Sequence, residues 1–157
     1  MVKELCDFLT AFKQFLYQAH LSAQGNAYAA HLLTEKIQNE VDKDIDRLKE
    51  LYIAFTGDLS IANAQESLKQ AELTLRAFLE VENTTLYKDV VEACSKFAAL
   101  CCDKAKDVSD DLGKVSEVDG NRAFKIALKN AVDDVCEHCL RYKYLLDTEV
   151  QVNGNSN

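Results

Sequence analysis

Apolar side chains recur every three or four residues in four long blocks of this chain, the spacing that lines them along one face of an α-helix. In the first block, residues 3 to 21, the stripe is Leu5, Phe8, Leu9, Phe12, Phe15, Leu16 and Ala19. Gly25 and Asn26 interrupt it and predict a short connection. A second helix is expected from about Ala27 to Phe55, with Leu33, Ile37, Val41, Ile45, Leu48, Leu51 and Tyr52 inward and Gly57 as its stop. A shorter helical stretch from Ser60 to about Leu79 carries Ile61, Leu68, Ala71, Leu75, Phe78 and Leu79. Asn83, Thr84 and Thr85 read as the N-cap region of a third long helix. Its inner face is Val90, Cys94, Phe97, Cys101, Ala105, Val108 and Leu112, and it is expected to end near Gly113. After a polar loop over 113 to 121, a fourth long helix runs from about Arg122 to Asp147. Phe124, Ala127, Leu128, Ala131, Val135, Cys139, Tyr142 and Leu146 point inward on it, and residues 151 to 157 read as a disordered tail.

Two long helices with a short link, a crossover carrying a small helix, and two more long helices predict an all-α, ferritin-like four-helix bundle with one long connection, a single domain over residues 1 to 150. Composition agrees, because the chain has no proline and only 5 glycines in 157 residues, so long helices run unbroken. Four helices alone fit cytokine-like, adaptor and structural proteins equally well, so function has to come from a site.

Charge narrows the classes. A formal net charge of −8 disfavours non-specific contact with nucleic-acid phosphates and suits attraction of cations. No apolar run approaches the ~20 residues needed to span a bilayer, and the N-terminal MVKELCDFLTAF is an amphipathic helix with acids rather than a signal peptide, so the expected location is cytoplasmic.

Candidate chemistry is concentrated between His20 and Glu50, which hold two of the three histidines. His31 and Glu35 are four residues apart, as are Asp46 and Glu50, and each such pair shares a helix face. Eleven residues separate Glu35 from Asp46, close to three whole turns, so all four groups fall within roughly 80° of one another, away from the apolar stripe. The two pairs are nonetheless ~20 Å apart along the axis, too far for one metal centre in one chain. Crossing two copies of the helix antiparallel about a two-fold axis near residues 40 and 41 brings His31 and Glu35 of one to Asp46 and Glu50 of the other. His20, ending the preceding helix, is placed to supply a third ligand. A solvated charged face is the bland alternative for the same strip.

The cysteines offer a second, smaller candidate. Cys136 and Cys139 form a CxxC in a helical pattern, and Cys101 and Cys102 belong to the preceding long helix, so a thiolate metal site or a redox pair is conceivable beside the simpler reading of reduced core residues.

The order His20, Gly25, His31, Glu35, Asp46, Glu50 resembles the Dps family of ferritin-like miniferritins, over about residues 12 to 57. That family shows a histidine five residues before a glycine, a second histidine with a carboxylate four residues on, and an aspartate and glutamate four apart eleven residues later. Leu21 stands where a tryptophan commonly follows the first histidine, Glu35 where the family usually has aspartate, and the two histidines are one residue closer together. The resemblance implies a di-iron site between two-fold-related subunits, formed by His20, His31 and Glu35 of one with Asp46 and Glu50 of the other. It implies a ferroxidase that oxidises Fe(II) with peroxide and stores ferric iron in a hollow homo-oligomeric shell, a dodecamer, with the dimer interface through the second helix. DNA binding is not expected, since the family's lysine-rich tail has no counterpart here. The Glu-x-x-His motifs of a centre inside one bundle are likewise missing: Tyr17, Tyr28 and Val135 precede His20, His31 and His138 by three residues. The rival expectations are a ferritin-like interaction module without oxidation and an unrelated helical adaptor.

Overall fold

The computed structural model describes residues 1–23, 28–81, 87–116 and 121–154, and among these the chain is all-α: five α-helices and one 3-10 turn, with no strand. Helix α1 spans Val2–Ser22, α2 Tyr28–Thr56, α3 Ala64–Val81, α4 Tyr87–Lys114 and α5 Arg122–Gly154, with the 3-10 turn at Leu59–Ala62. The expected links at Gly25-Asn26 and Asn83 to Thr85 lie outside the described residues.

The end of α2 shows why the chain turns there. Gly57 takes a left-handed backbone, φ +72°, which costs a residue without Cβ nothing, and its N–H donates to the Ile53 carbonyl at 2.7 Å. Asp58 then caps the 3-10 turn by accepting from the Ser60 N–H at 2.8 Å. Its carboxylate also pairs with Lys3 at 3.2 Å, which ties the turn back to the start of α1.

Four helices pack in a closed ring, α1 on α2, α2 on α5, α5 on α4 and α4 on α1, while α3 packs on α1. Cross-helix partners give the directions. Along α2 and α5, Glu40 meets Arg141, Asp44 meets His138 and Arg47 meets Asp134, so rising numbers face falling ones. The same holds for α1 and α4 through Glu4 with Lys104 and Phe12 with Phe97, and for α4 and α5 through Cys102 with Cys136 and Ser109 with Asp133. Consequently α2 and α4 run in the same direction, and the chain must travel back along the bundle between them. Helix α3 makes that journey beside α1, with Ser67 on Asp7 and Phe78 on Phe15.

The core follows the apolar period closely. All seven inward residues expected on α4 are buried, as are six of the seven on α1, with Phe8 half-buried at the edge. Phe12, Phe15, Phe78 and Phe97 form its aromatic centre, with Phe15 and Phe78 rings edge-to-face at 5.5 Å. Two expectations need correction. Leu68 on α3 and Phe124 at the start of α5 are exposed rather than inward. Helix α3 leans mainly on α1 and touches α4 through Phe78 on Phe97, so only a narrow stripe of it is covered, and Phe124 lies in the first turn of its helix. Helix α5 also runs past Asp147 to Gly154, taking in the first residues of the expected tail.

Candidate functional site

The two histidines of the second-helix region meet where α1 ends and α2 begins. Their rings stack at 3.7 Å between centroids, with planes inclined by 28°. The contact is reciprocal: His20 Nδ1 donates to the His31 carbonyl oxygen at 3.2 Å, and His31 Nδ1 donates to the His20 carbonyl oxygen at 3.1 Å. A carbonyl can only accept, so each Nδ1 carries the hydrogen, and in the neutral ring each Nε2 keeps its lone pair. The His20 carbonyl lies in the last turn of α1, where no N–H one full turn on within the helix claims it, and it accepts from the Ala23 N–H at 3.3 Å as well as from His31. The His31 carbonyl uses its spare lone pair and also accepts from the Thr34 hydroxyl at 3.0 Å.

A tyrosine lies over each ring. Tyr17 stacks on His20 at 6.2 Å and Tyr28 on His31 at 5.9 Å, with interplanar angles of 13° and 15°. Each tyrosine precedes its histidine by three residues, in the matching segments YQAH and YAAH, and that spacing puts both on one helix face. Tyr17, Leu21, Tyr28 and Leu32 are all exposed, Tyr28 by 63 %, so an apolar rim surrounds the half-buried histidines. Sequence reasoning noted these tyrosines only as positions lacking a glutamate; the repeated Tyr-x-x-His was the signal available.

Glu35 follows His31 by one turn on α2 and is exposed. Asp46 and Glu50 are exposed on the same unbroken helix, some three to four turns further on, roughly 20 Å away at ~1.5 Å per residue. One chain thus joins His20 to His31, leaves Glu35 nearby in sequence, and keeps Asp46 and Glu50 apart from them. Among the described residues no group of three or more His, Cys, Asp and Glu side chains is close enough to hold a metal ion. Gly25 of the motif lies outside the described residues.

The third histidine is engaged elsewhere. His138 on α5 donates from Nδ1 to the Asp44 carboxylate at 2.9 Å. Asp44 is buried on α2, and burial raises its pKa above the usual carboxylate value while the bond from His138 opposes that rise. With Glu40–Arg141 and Arg47–Asp134 at 2.6 and 2.7 Å, this pair forms a polar ladder that sets the register of α2 against α5.

Four of the five cysteines of α4 and α5 sort two by two rather than around one centre. Cys102 and Cys136 hold their sulfurs 2.8 Å apart, and Cys101 is hydrogen-bonded to Cys139. All six thiols are free, five of them buried and Cys136 half-buried. A separate apolar cleft of about 940 Å³ opens between α3 and α4 over Phe8, Phe78 and Phe97, and no histidine lines it. No helix among the described residues is long and apolar enough to cross a membrane. No protein-family model matches the chain, and no curated protein or solved structure matches it.

Proposed function

We propose that this chain is a Dps-like ferroxidase, a ferritin-like bundle that oxidises Fe(II) with peroxide at a site shared by two copies and stores the ferric product in a homo-oligomeric shell. The observation that carries the reading is the histidine pair. Histidines that bind metal characteristically donate their second ring nitrogen to a carbonyl or carboxylate, which fixes the tautomer and leaves the other nitrogen basic. His20 and His31 both do this, from adjacent helices, inside an exposed rim. The helix directions support the ferritin-like architecture, since parallel α2 and α4 joined by a long crossover are what distinguishes it from a simple up-and-down bundle.

In this reading His20, His31 and Glu35 of one copy face Asp46 and Glu50 of a second, because a single helix holds the two sets too far apart. Imidazole and carboxylate ligands suit iron, and the carboxylates favour the harder ferric product. Each Fe(II) gives up one electron, so two are needed to reduce one peroxide to water. Tyr17, Leu21, Tyr28 and Leu32 are the surface that the second copy would cover, and the net charge of −8 favours cation approach.

Anaerobic Fe(II) titration followed by peroxide tests the proposal, with ferric absorbance read against a protein-free control. Fast oxidation in a shell-sized particle is expected, and His31→Ala and Asp46→Ala should each abolish it while leaving helix content and particle size intact. Mixing the two variants should return about a quarter of the activity, because half of randomly paired dimers are mixed and each mixed dimer regains one of its two sites. A shell-sized particle with no acceleration would overturn the ferroxidase. That outcome would favour the second reading, an interaction module without oxidation, whose supporting observation is that the two histidines stand one residue closer together than in the family the motif resembles.

A further inference from the structure

We propose that Cys102 and Cys136 form a thiol–disulfide exchange site for small soluble disulfides, closing to a reversible cross-link between α4 and α5. The proposal stands on these two helices and does not depend on the histidine pair. The two sulfurs are 2.8 Å apart, so closure to a bond of about 2.05 Å needs a movement of less than an ångström. The helices are antiparallel at this point and held in register one turn and more away by Ser109 donating to Asp133 at 2.5 Å and by Lys129 donating to the Ser109 hydroxyl oxygen at 2.9 Å.

Access distinguishes this pair from the other thiols. Cys136 is the one half-buried cysteine, and it lines an open cleft of about 530 Å³ with Lys106, Ser109, Asp110, Lys129 and Asp133. Cys101 and Cys139 are fully buried behind it, so they are shielded from a reagent in solution. The Lys106 charge lies close enough to act on the Cys136 sulfur and favours its thiolate. Burial, with the neighbouring Cys102, pushes the Cys136 thiol up to about 12, so the thiolate is scarce at neutral pH and exchange quickens in mildly alkaline buffer.

The reaction balances with a small disulfide as oxidant. Cys136 loses its proton and its sulfur attacks one sulfur of the reagent, breaking the reagent's S–S bond and releasing one small thiolate, which takes up a proton. The sulfur of Cys102 then attacks Cys136 in the mixed disulfide and releases the second small thiol. Two protein thiols are oxidised, one reagent disulfide is reduced to two thiols, and both protein protons leave on them.

Oxidised glutathione is the probe. The full-length native protein is incubated with it in mildly alkaline buffer, quenched with acid and read by intact mass and peptide mapping. The expected product has lost two hydrogen masses, carries one Cys102–Cys136 linkage, and returns to the starting mass with dithiothreitol. Cys102→Ser should stop at a single glutathionyl adduct on Cys136, and Cys136→Ser should take up none. A native protein that stays unreacted, a wild-type adduct on Cys136 that never closes, or a linkage between any other pair would overturn the proposal, and the wild-type map decides this even if a variant fails to fold.

Discussion

His20 and His31 each hold the other's main chain: two Nδ1-to-carbonyl hydrogen bonds of 3.2 and 3.1 Å cross between α1 and α2 beneath rings stacked at 3.7 Å. Because each bond ends on a backbone oxygen, truncating one side chain leaves the other's bond in place. The coupling between the two side chains is therefore the ring stack alone. A double-mutant cycle of His20→Ala and His31→Ala in urea should show each single change costing about 1 kcal/mol for its hydrogen bond, more with the lost stacking, and a coupling of roughly 0.5–1.5 kcal/mol. A coupling near zero would mean that the rings do not stack in solution.

Asp44 and His138 lead to a second expectation. Burial raises the Asp44 pKa above its unfolded value, so the folded state holds the proton more tightly. Stability is then highest below the unfolded carboxylate value and falls as pH rises from there through the raised folded value, leaving a cost at neutral pH. Asp44→Asn removes the charge and keeps an oxygen for His138 Nδ1, so at neutral pH it should be no less stable than the parent. His138→Ala instead strands a buried carboxylate and should cost about 1–3 kcal/mol. Urea midpoints of both variants check this, and an Asn variant weaker by more than the Ala variant would reverse the assignment.

Asp58 behaves in the opposite sense. Its hydrogen bonds from the Ser60 side chain and main chain, with Lys3 adding to them, hold the carboxyl down at about 2. The stabilisation is present above the unfolded value and disappears as pH falls from there through about 2. An NMR titration of the Asp58 carboxyl should find its midpoint well below that of other exposed aspartates, and Asp58→Ala should erase the difference between the acid tolerance of the 3-10 turn and that of its surroundings. A midpoint in the ordinary aspartate range would remove the cap.

Phe78 is the chief anchor of α3, resting on Phe15 at 5.5 Å and Phe97 at 4.4 Å. Phe78→Ala should free α3 while the four-helix ring persists, whereas Phe97→Ala opens a cavity in the ring itself and should cost about 3–5 kcal/mol. Hydrogen exchange distinguishes them: protection should fall in residues 64–81 alone for the first and across α1 and α4 for the second. Equal loss everywhere in the Phe78 variant would show that α3 is integral to the ring.

What could be read along the chain is what depends on neighbours a turn away. The inner faces of α1 and α4 follow from the 3.6-residue period because each helix buries one face whatever lies opposite. The stop at Gly57 is equally local, a residue without Cβ at a left-handed position. Asp46 and Glu50 are exposed as their spacing opposite the apolar stripe implied. Leu68 shows where that logic ends, since its period is helical but no neighbouring helix covers its side of α3.

The sequence by itself determined the long helices, most of their buried stripes and the outward placing of Glu35, Asp46 and Glu50, because backbone geometry and apolar period are local properties. Only the tertiary structure decided that His20 and His31 bond to each other's carbonyls, that His138 meets Asp44 across 94 positions, and that four of the five cysteines of α4 and α5 pair by twos. Those contacts depend on the direction and register of packed helices, which arise from the fit of whole surfaces and are not written in any single stretch of the chain.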